Sequence, residues 1–544
     1  MRMKEFSHRT RKENLLKLQQ DEFDLVIIGG GINGAGIARD ASLRGMKVAL
    51  VEAADFASGT SSRSSKLIHG GIRYLENLEF HLVFEALNER TKLFEIAPHL
   101  VHHLRFMVPL YESSRVGMFK MGLGMWLYDA LALFQAPEIH ERLGSRPTLD
   151  RMPILKPEGL KGSYVYSDAY MDDDRLVHET LRSAHERGAV CVNYVKAKCP
   201  EFQDGKFKSL SVIDQRTHQS FSISGHHLVS AVGPWTDEWG SACFQEWKKK
   251  LRPTKGIHLT LTKDRLPLTS AVVMAAEKGE RIVFGIPRHE MVIVGTTDTD
   301  FQMSPDQVVA DNSDVKYLLE ILNTYFPGAK ITKEDLVSSY AGVRPLVEDQ
   351  AVHESKTSRE HSIWREDRGI TYVAGGKYTT YRLMAEQVVE EALKGFPLEA
   401  RVKFNKCNTN QPLNSYVEPE RFHQIFYQLK SLGDYFGRTG PGLTWLAERY
   451  GAEAIPILER SRDLKTIWEI EARQAVRNTM CLSLTDFMTR RVPLFLADPE
   501  HGNSEVDSIS KVFSQELGWS DSERLDQIQH YQDHTEKELR WKSL

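Results

Sequence analysis

The segment Asp24 to Glu52 limits what this chain can fold into more than any other stretch. Leu25-Val26-Ile27-Ile28 has no polar residue and runs straight into Gly29-Gly30-Gly31, the pattern of a buried strand that ends in a tight turn. Ile32, Ala35, Ile37, Ala38, Ala41 and Leu43 then supply the small and apolar positions of a packed helix, with Gly45 where a C-terminal glycine belongs. Met46 to Glu52 returns as a second strand, so the segment is a βαβ unit. Gly29, Gly31 and Gly34 form GxGxxG at the strand-to-helix junction. Glycine there lets the backbone turn tightly and approach a pyrophosphate, whose charge meets the unpaired amides of a helix N-terminus. Glu52, ending the second strand, is placed to accept hydrogen bonds from a ribose, which favours FAD or NAD over NADP. A glycine-rich turn that binds nothing is the competing reading; the strand before it and the helix after it weigh against that.

The residues just beyond Glu52 separate FAD from NAD. Ser58-Gly59-Thr60-Ser61-Ser62-Arg63-Ser64-Ser65-Lys66 is dense in hydroxyls and small residues, able to hydrogen-bond a pyrophosphate and a ribityl chain. A flexible linker would have the same composition, but Leu67 to Tyr74 behind it reads as ordered. At 544 residues the chain exceeds the ~250–300 at which one hydrophobic core stops growing, so several domains are expected. An amphipathic helix is predicted over 81–97, a mixed inserted region over 105–160, and a helix from the Asp172-Asp173-Asp174 triplet to Arg187. The triplet reads as N-capping and dipole complementation rather than a metal site. Strand-like runs at 190–194, 227–232, 257–261, 282–286 and 291–294 alternate enough to predict a mixed, partly antiparallel substrate sheet. Beyond 405 the pattern turns helical, with candidates at 421–432, 443–460, 466–488 and 508–517.

Several classes are disfavoured. A formal net charge of -4 gives no chain-wide footprint for nucleic acid. The five cysteines, Cys191, Cys199, Cys243, Cys407 and Cys481, lack CxxC spacing, so neither a zinc site nor a secreted-type disulfide framework is expected, and a reducing cytoplasm fits best. The adjacent pairs His102-His103 and His226-His227 lack an i, i+4 arrangement, and no metal is expected. Residues 1–20 are basic without an apolar block, a mobile lead rather than a secretory signal. The run 116–134 is interrupted by Lys120 and Asp129, so membrane contact, if any, is at the surface. Two features suit such contact: the apolar stretch from Met118 to Tyr128, and the basic cluster Lys248-Lys249-Lys250 with Arg252. A buried helix and a solvated charge run explain them equally well.

The residues resemble the FAD-dependent glycerol-3-phosphate dehydrogenases. IGGGINGAGIARDASLRG at 28–45 is similar to that family's N-terminal signature, and GGKYTTYRLMA at 375–385 to its C-terminal one; TSSRSSKLIHGGIRYLE, AVGPW, GTTDTD and GVRPL lie between them in the family's order. The likeness covers roughly 22–400, with a weaker match at 485–491. It implies an α/β fold: a Rossmann-like FAD-binding domain of the amino-acid-oxidase type, discontinuous over 21–90, 160–250 and 335–400; a substrate-binding cap over 91–159 and 251–334; and a helical domain over 401–544. By the same resemblance Gly29, Gly31, Asn33, Gly34, Glu52, Thr60, Ser61, Ser64, Ser65, Lys66, Leu67, His69, Ala231, Gly233, Lys377 and Thr379 line FAD. Arg73, Tyr74, His258, Arg344, Lys377 and Thr379 surround glycerol 3-phosphate, with guanidinium forks on its phosphate. His258 or Arg344 takes the C2 hydroxyl proton as hydride leaves for flavin N5. The implied product is dihydroxyacetone phosphate, the implied acceptor a quinone, and the implied location the cytoplasmic face of the inner membrane; a homodimer is left open. Two other chemistries stay open: the same oxidation with oxygen as acceptor, and an amino-acid oxidase in which Arg344 binds a carboxylate.

Overall fold

The computed structural model describes residues 4–276, 281–288, 291–347, 361–414, 425, 427–429, 431 and 441–543, and two sheets organise them. The first grows from the βαβ unit. Glu22–Ile28 and Val48–Val51 pair in parallel, and Ser220–Ser230, Ile370–Gly375 and Val190–Val192 extend the parallel set on either side. Leu25, Val26, Ile27, Val48 and Leu50 are wholly buried, as strands covered on both faces require. The helices Ile32–Leu43, Asp173–Glu186 and Tyr381–Leu393 cover one face. The antiparallel ribbon of Val195–Gln203 and Lys206–Asp214 covers the other, together with the helix His8–Gln20.

That N-terminal helix corrects the expectation of a mobile lead. Ser7 caps it, Arg11 donates to Asp214 and to the Asn193 carbonyl, and Asn14 donates to the Cys191 carbonyl. Its apolar anchors Phe6 and Leu18 are too few to show as a stripe among so many cations. The cysteines need a correction too. Cys199 and Cys243 are joined by a disulfide, with their Cα atoms 5.2 Å apart. They are separated by 44 residues, so only the packing of the helix Thr236–Cys243 beside the Cys199 strand brings them together.

The second sheet runs Thr299–Asp300, Leu251–Thr262, Met291–Gly295, Arg281–Arg288, Ala271–Ala276, Val101–Tyr111, Leu160–Met171, Leu67–Ile68, and Leu336–Val347 pairs along the free side of Leu251–Thr262. Its pairings are antiparallel apart from Ala271–Ala276 with Val101–Tyr111. Three strands expected in the flavin domain, 67–68, 160–171 and 336–347, belong to this sheet instead. Alternation identifies a strand but not the sheet that recruits it. One face packs on the helix Asn312–Tyr325 and on Trp541; the other packs on the helices Phe80–Ile96 and Met118–Leu131 and on the C-terminal helical region.

Beyond 405 the described residues are helical. Of the helix expected over 421–432, residues 425, 427–429 and 431 are described and helical, and the others lie outside the described residues. The stretch 443–460 resolves into Pro441–Tyr450 and Ala454–Glu459, and 466–488 into Ile467–Asn478 and Leu484–Arg490. Positive φ at Gly451 and Met480 marks the breaks, which apolar periodicity alone does not reveal. The helix Asp521–Glu538 was not expected; its burial is confined to Tyr531 and Glu538, so no apolar stripe announces it.

Candidate functional site

The dinucleotide turn is built as the glycines demand. Gly29 has φ +104°, and a Cβ there would lie 2.5 Å from the Ala231 carbonyl oxygen. A Cβ on Gly34 would lie 1.9 Å from the Gly29 oxygen, so the turn and the helix behind it close only without side chains. Gly31 caps the helix Ile32–Leu43 with no side-chain partner, and Asn33 stands half-buried in its first turn. Ser61 Oγ accepts from the Ile32 amide at 2.9 Å. Glu52 accepts from the amides of Gly30 at 2.7 Å and Ala54 at 2.9 Å; burial raises its pKa, and those amides pull it back. Ala231 hydrogen-bonds Ile28, and Gly233, with φ +57°, opens the 3-10 turn Gly233–Trp235 beside it. These eight residues meet at one crevice whose cradle a Cβ would fill, and that cradle with a helix N-terminus and a carboxylate fits FAD.

From this crevice the chain crosses to the second sheet. Thr60 Oγ1 donates to the Val343 carbonyl at 2.6 Å, and Ser65 Oγ lies 2.8 Å from His258 Nε2. Register then explains the arrangement: Phe284 pairs Gly295, Gly295 pairs His258, and His258 pairs Tyr340, so their side chains form one row on one face. Gly295 leaves the room that the His258 ring occupies, since a Cβ there would sit 2.2 Å from it. The His258 ring stacks on Tyr340 with centroids 4.7 Å apart, and Tyr340 donates to the Ser64 carbonyl. Two residues along, Gly256 pairs Gly342, and one step further Thr254 pairs Arg344. The Arg344 guanidinium folds back over Gly256, held by Asp298 at 3.1 Å and by Thr296 Oγ1 at 2.8 Å. Burial holds the His258 imidazole well below the usual histidine range, and the Arg344 and Lys66 charges push the same way.

Of the remaining expected residues, His69, Thr379, Lys377 and Tyr74 gather at the Phe284 end of that row. His69 packs edge-on against Phe284, its amide donates to Thr379 Oγ1, and Thr379 donates back to the His69 carbonyl. The Lys377 ammonium sits 3.7 Å from the centre of the Tyr74 ring. Arg73 lies between Ile72 and Tyr74 on the turn Ile72–Asn77, whose Tyr74 ring receives Lys377. Leu67 is buried in the sheet. Ser64 and Lys66 turn away from the crevice: Ser64 donates to Asp173 at 2.7 Å, and the buried Lys66 ammonium pairs with the same carboxylate. Their backbone is engaged as well: the Ser64 carbonyl accepts from Tyr340, and Lys66, at φ +55°, accepts from the Met171 amide.

The acidic triplet therefore does more than cap a helix. Asp172 stands at the N-cap without a side-chain capping bond and pairs instead with Arg288 and Arg449, while Asp173 anchors the Ser64–Lys66 loop. Sequence reading missed both roles, as it missed Asp298 inside GTTDTD and Tyr340 two residues before Gly342. It also missed the buried trio Arg90, Asp168 and Tyr128, in which Tyr128 donates to Asp168 and accepts from the Gly70 amide. Alternation along GVRPL places Tyr340 on the Arg344 face; nothing local marks Asp168. His102 packs on Tyr170, His103 on Phe94, His227 hydrogen-bonds Thr371, and His226 lies opposite Glu22 at the surface, so each of the adjacent histidines has a structural partner.

Comparison with known proteins sets this geometry in context. The family described as FAD dependent oxidoreductase matches residues 24–382, and the C-terminal domain of alpha-glycerophosphate oxidase matches 427–524. The aerobic glycerol-3-phosphate dehydrogenase of Staphylococcus aureus (strain MRSA252) is 35% identical over 97% of each chain. The X-ray structure of the glycerol-3-phosphate dehydrogenase from Bacillus halodurans complexed with FAD superposes with a TM-score of 0.81 at 28% identity, covering 98% of both chains. The dithionite-reduced L-alpha-glycerophosphate oxidase from Mycoplasma pneumoniae, at 17% identity and a TM-score of 0.54 over 72% of this chain and 98% of its own, shares the fold alone.

Proposed function

The chain belongs to the FAD-dependent aerobic glycerol-3-phosphate dehydrogenases, and from that premise we propose how its own residues oxidise sn-glycerol 3-phosphate to dihydroxyacetone phosphate. FAD, when bound, supplies the two-electron acceptor for the hydride that leaves C2. The observation that carries the residue assignment is the shared face of His258, Tyr340 and Arg344 opposite the Ser58–Lys66 loop. Arg344, oriented by Asp298 and Thr296, binds the substrate phosphate, while Arg73 and Lys377 add positive potential that draws the dianion into the site. Gly256 leaves the room into which the Arg344 guanidinium folds toward His258, so that a three-carbon substrate with its phosphate on Arg344 brings C2 to the imidazole. His258 is the base: its depressed pKa keeps the imidazole neutral, whereas a guanidinium stays protonated. Thr379 and His69 hold the Lys377 turn against the Phe284 end of the row.

We assign the electron acceptor to a quinone reached from a membrane surface. No helix among the described residues is long and apolar enough to cross a membrane. Contact instead uses the adjoining helices Phe80–Ile96 and Met118–Leu131, where Phe119 is 82% exposed, Trp126 56% and Leu123 58%, with Phe80, Phe84 and Leu78 beside them. The Lys248–Lys250 run is not on those helices; it lies by Asp237 and the Trp364 ring. Anaerobic titration with glycerol 3-phosphate should bleach the flavin, and a quinone should restore its colour faster than air does. Absence of bleaching sinks the substrate assignment, and stoichiometric peroxide in air sinks the acceptor. Arg344→Ala should abolish bleaching while retaining FAD.

A further inference from the structure

The five residues after the second strand, Ala53 to Ala57, form a turn packed directly on the dinucleotide glycines. Phe56 lies where a Cβ on Gly30 would come within 2.6 Å of it, and the Ala57 amide donates to the Gly30 carbonyl. At the centre of this turn is Asp55, which is 1% exposed. Its carboxylate receives Arg491 Nη1 at 2.8 Å, Arg491 Nη2 at 3.0 Å, Arg490 Nε at 3.0 Å and Asn193 Nδ2 at 3.3 Å. Both arginines come from the end of the helix Leu484–Arg490, more than four hundred residues away along the chain. Arg491 is itself aimed by Thr479, whose hydroxyl accepts from Nε at 2.8 Å and whose carbonyl accepts from Nη2 at 3.1 Å. Burial would push the Asp55 carboxyl up, but the two guanidiniums hold it well below the usual range, so it stays charged and the pair stays formed.

The helical region grips the rest of the site as well. Glu538 pairs with Arg63 in the hydroxyl-rich loop, and Arg449 with Asp172 at the start of the helix that anchors Lys66. None of these residues is among those placed at the crevice or in the row.

We propose that the C-terminal helical region locks the cofactor in place, with Arg491 and Asp55 as positioning residues that hold the Ala53–Ala57 turn against the dinucleotide glycines. FAD is held by Glu52 and the glycine turn; Arg491 and Asp55 touch neither substrate nor cofactor but keep the turn from lifting off Gly30. The inference rests on the reading that Glu52 and Gly29–Gly34 bind FAD.

Stopped-flow or spin-column release of FAD from the holoenzyme, followed by flavin fluorescence, tests it alongside the melting temperature. Asp55→Asn and Arg491→Ala should each speed FAD release by about tenfold or more, the scale at which loss of an outer supporting partner weakens a bound group. KM for glycerol 3-phosphate, measured with FAD in excess, should stay as in the parent. Arg491→Lys should recover part of the retention, and the milder Thr479→Val, which removes only a hydroxyl aiming Arg491, should give an intermediate rate if the larger changes fail to fold. Arg473→Ala breaks a pair with Asp463 and Glu516 in the same helical region but away from the turn, and it should lower the melting temperature without changing release. Parental release rates in Asp55→Asn and Thr479→Val, or equal acceleration by Arg473→Ala, overturn the proposal. Unchanged release in Glu52→Gln would instead overturn the reading beneath it.

Discussion

At the scale of single residues, the site is decided by what surrounds each ionisable group. His258 sits with its ring between Ser65 and Tyr340 and its charge opposed by Arg344 and Lys66. A histidine whose folded pKa lies below the ordinary 6.5 keeps its basic form into mild acid. Plotted against pH, kcat/KM should therefore hold level down through 6.5 and fall only below it; an acid limb centred at or above 6.5 would remove His258 as the base. Replacing it by alanine should lower kcat by about 10²- to 10⁴-fold, the usual scale of a lost general base, with FAD content unchanged. The residue types of this machinery were legible in IHL, GVRPL and GGKYTT. Their partners Asp298 and Asp173 were not, because a hydrogen bond between distant segments leaves no mark on either one; alternation places Tyr340 on the Arg344 face, but its stack on His258 is set only by register.

At the scale of elements, two glycine pairings shape the site. A Cβ on Gly256 would fall 2.2 Å from the Arg344 guanidinium, which is the mobile end of a long side chain. Gly256→Ala should therefore fold, displace Arg344, and raise KM for glycerol 3-phosphate by about tenfold or more, the equivalent of ~1.5–3 kcal/mol for one charge-assisted hydrogen bond. A melting temperature near the parent's with unchanged KM would contradict this. Gly34→Ala is the opposite case, because its Cβ would meet backbone that cannot give way; it should yield little folded, flavin-containing protein. The βαβ unit could be read from its residues since strand, turn and helix each carry a local pattern. The pairing of 160–171 and 336–347 with the second sheet could not, since sheet choice depends on which edge is offered.

At the scale of the whole molecule, burial and exposure set two further expectations. His99, His102 and His227 are held by burial near 3, 4 and 4, and His178 well below 6.5. A folded pKa below the unfolded one means stability that is complete above about 6.5 and drains as pH falls toward the folded value, by ~1.4 kcal/mol per pH unit for each group. Asp174, lifted to about 6 by burial, works in the opposite sense, as do the raised carboxyls of Asp40, Glu52, Asp314, Glu448 and Asp486, but the lowered histidines, His258 and His534 among them, outnumber these. The melting temperature should thus drop between about pH 7 and pH 5, and a flat profile would show that these histidines are not buried neutral. The exposed helices predict a second outcome: Phe119→Ser with Trp126→Ser should reduce co-sedimentation with phospholipid vesicles, while dye-linked oxidation of glycerol 3-phosphate in solution stays at the parental rate. Equal sedimentation would move the docking surface elsewhere.

Local pattern by itself determined the dinucleotide unit, the flavin-type loop after it and the order of motifs that marks the family, because each of these is written within a few consecutive residues. Tertiary structure alone decided that His258, Tyr340 and Arg344 share a face, that the N-terminal lead is a docked helix, and that Arg491 reaches Asp55. The physical reason is common to all three: register across a sheet and charge pairing between distant segments depend on distances in space, which the spacing of residues along a chain does not encode.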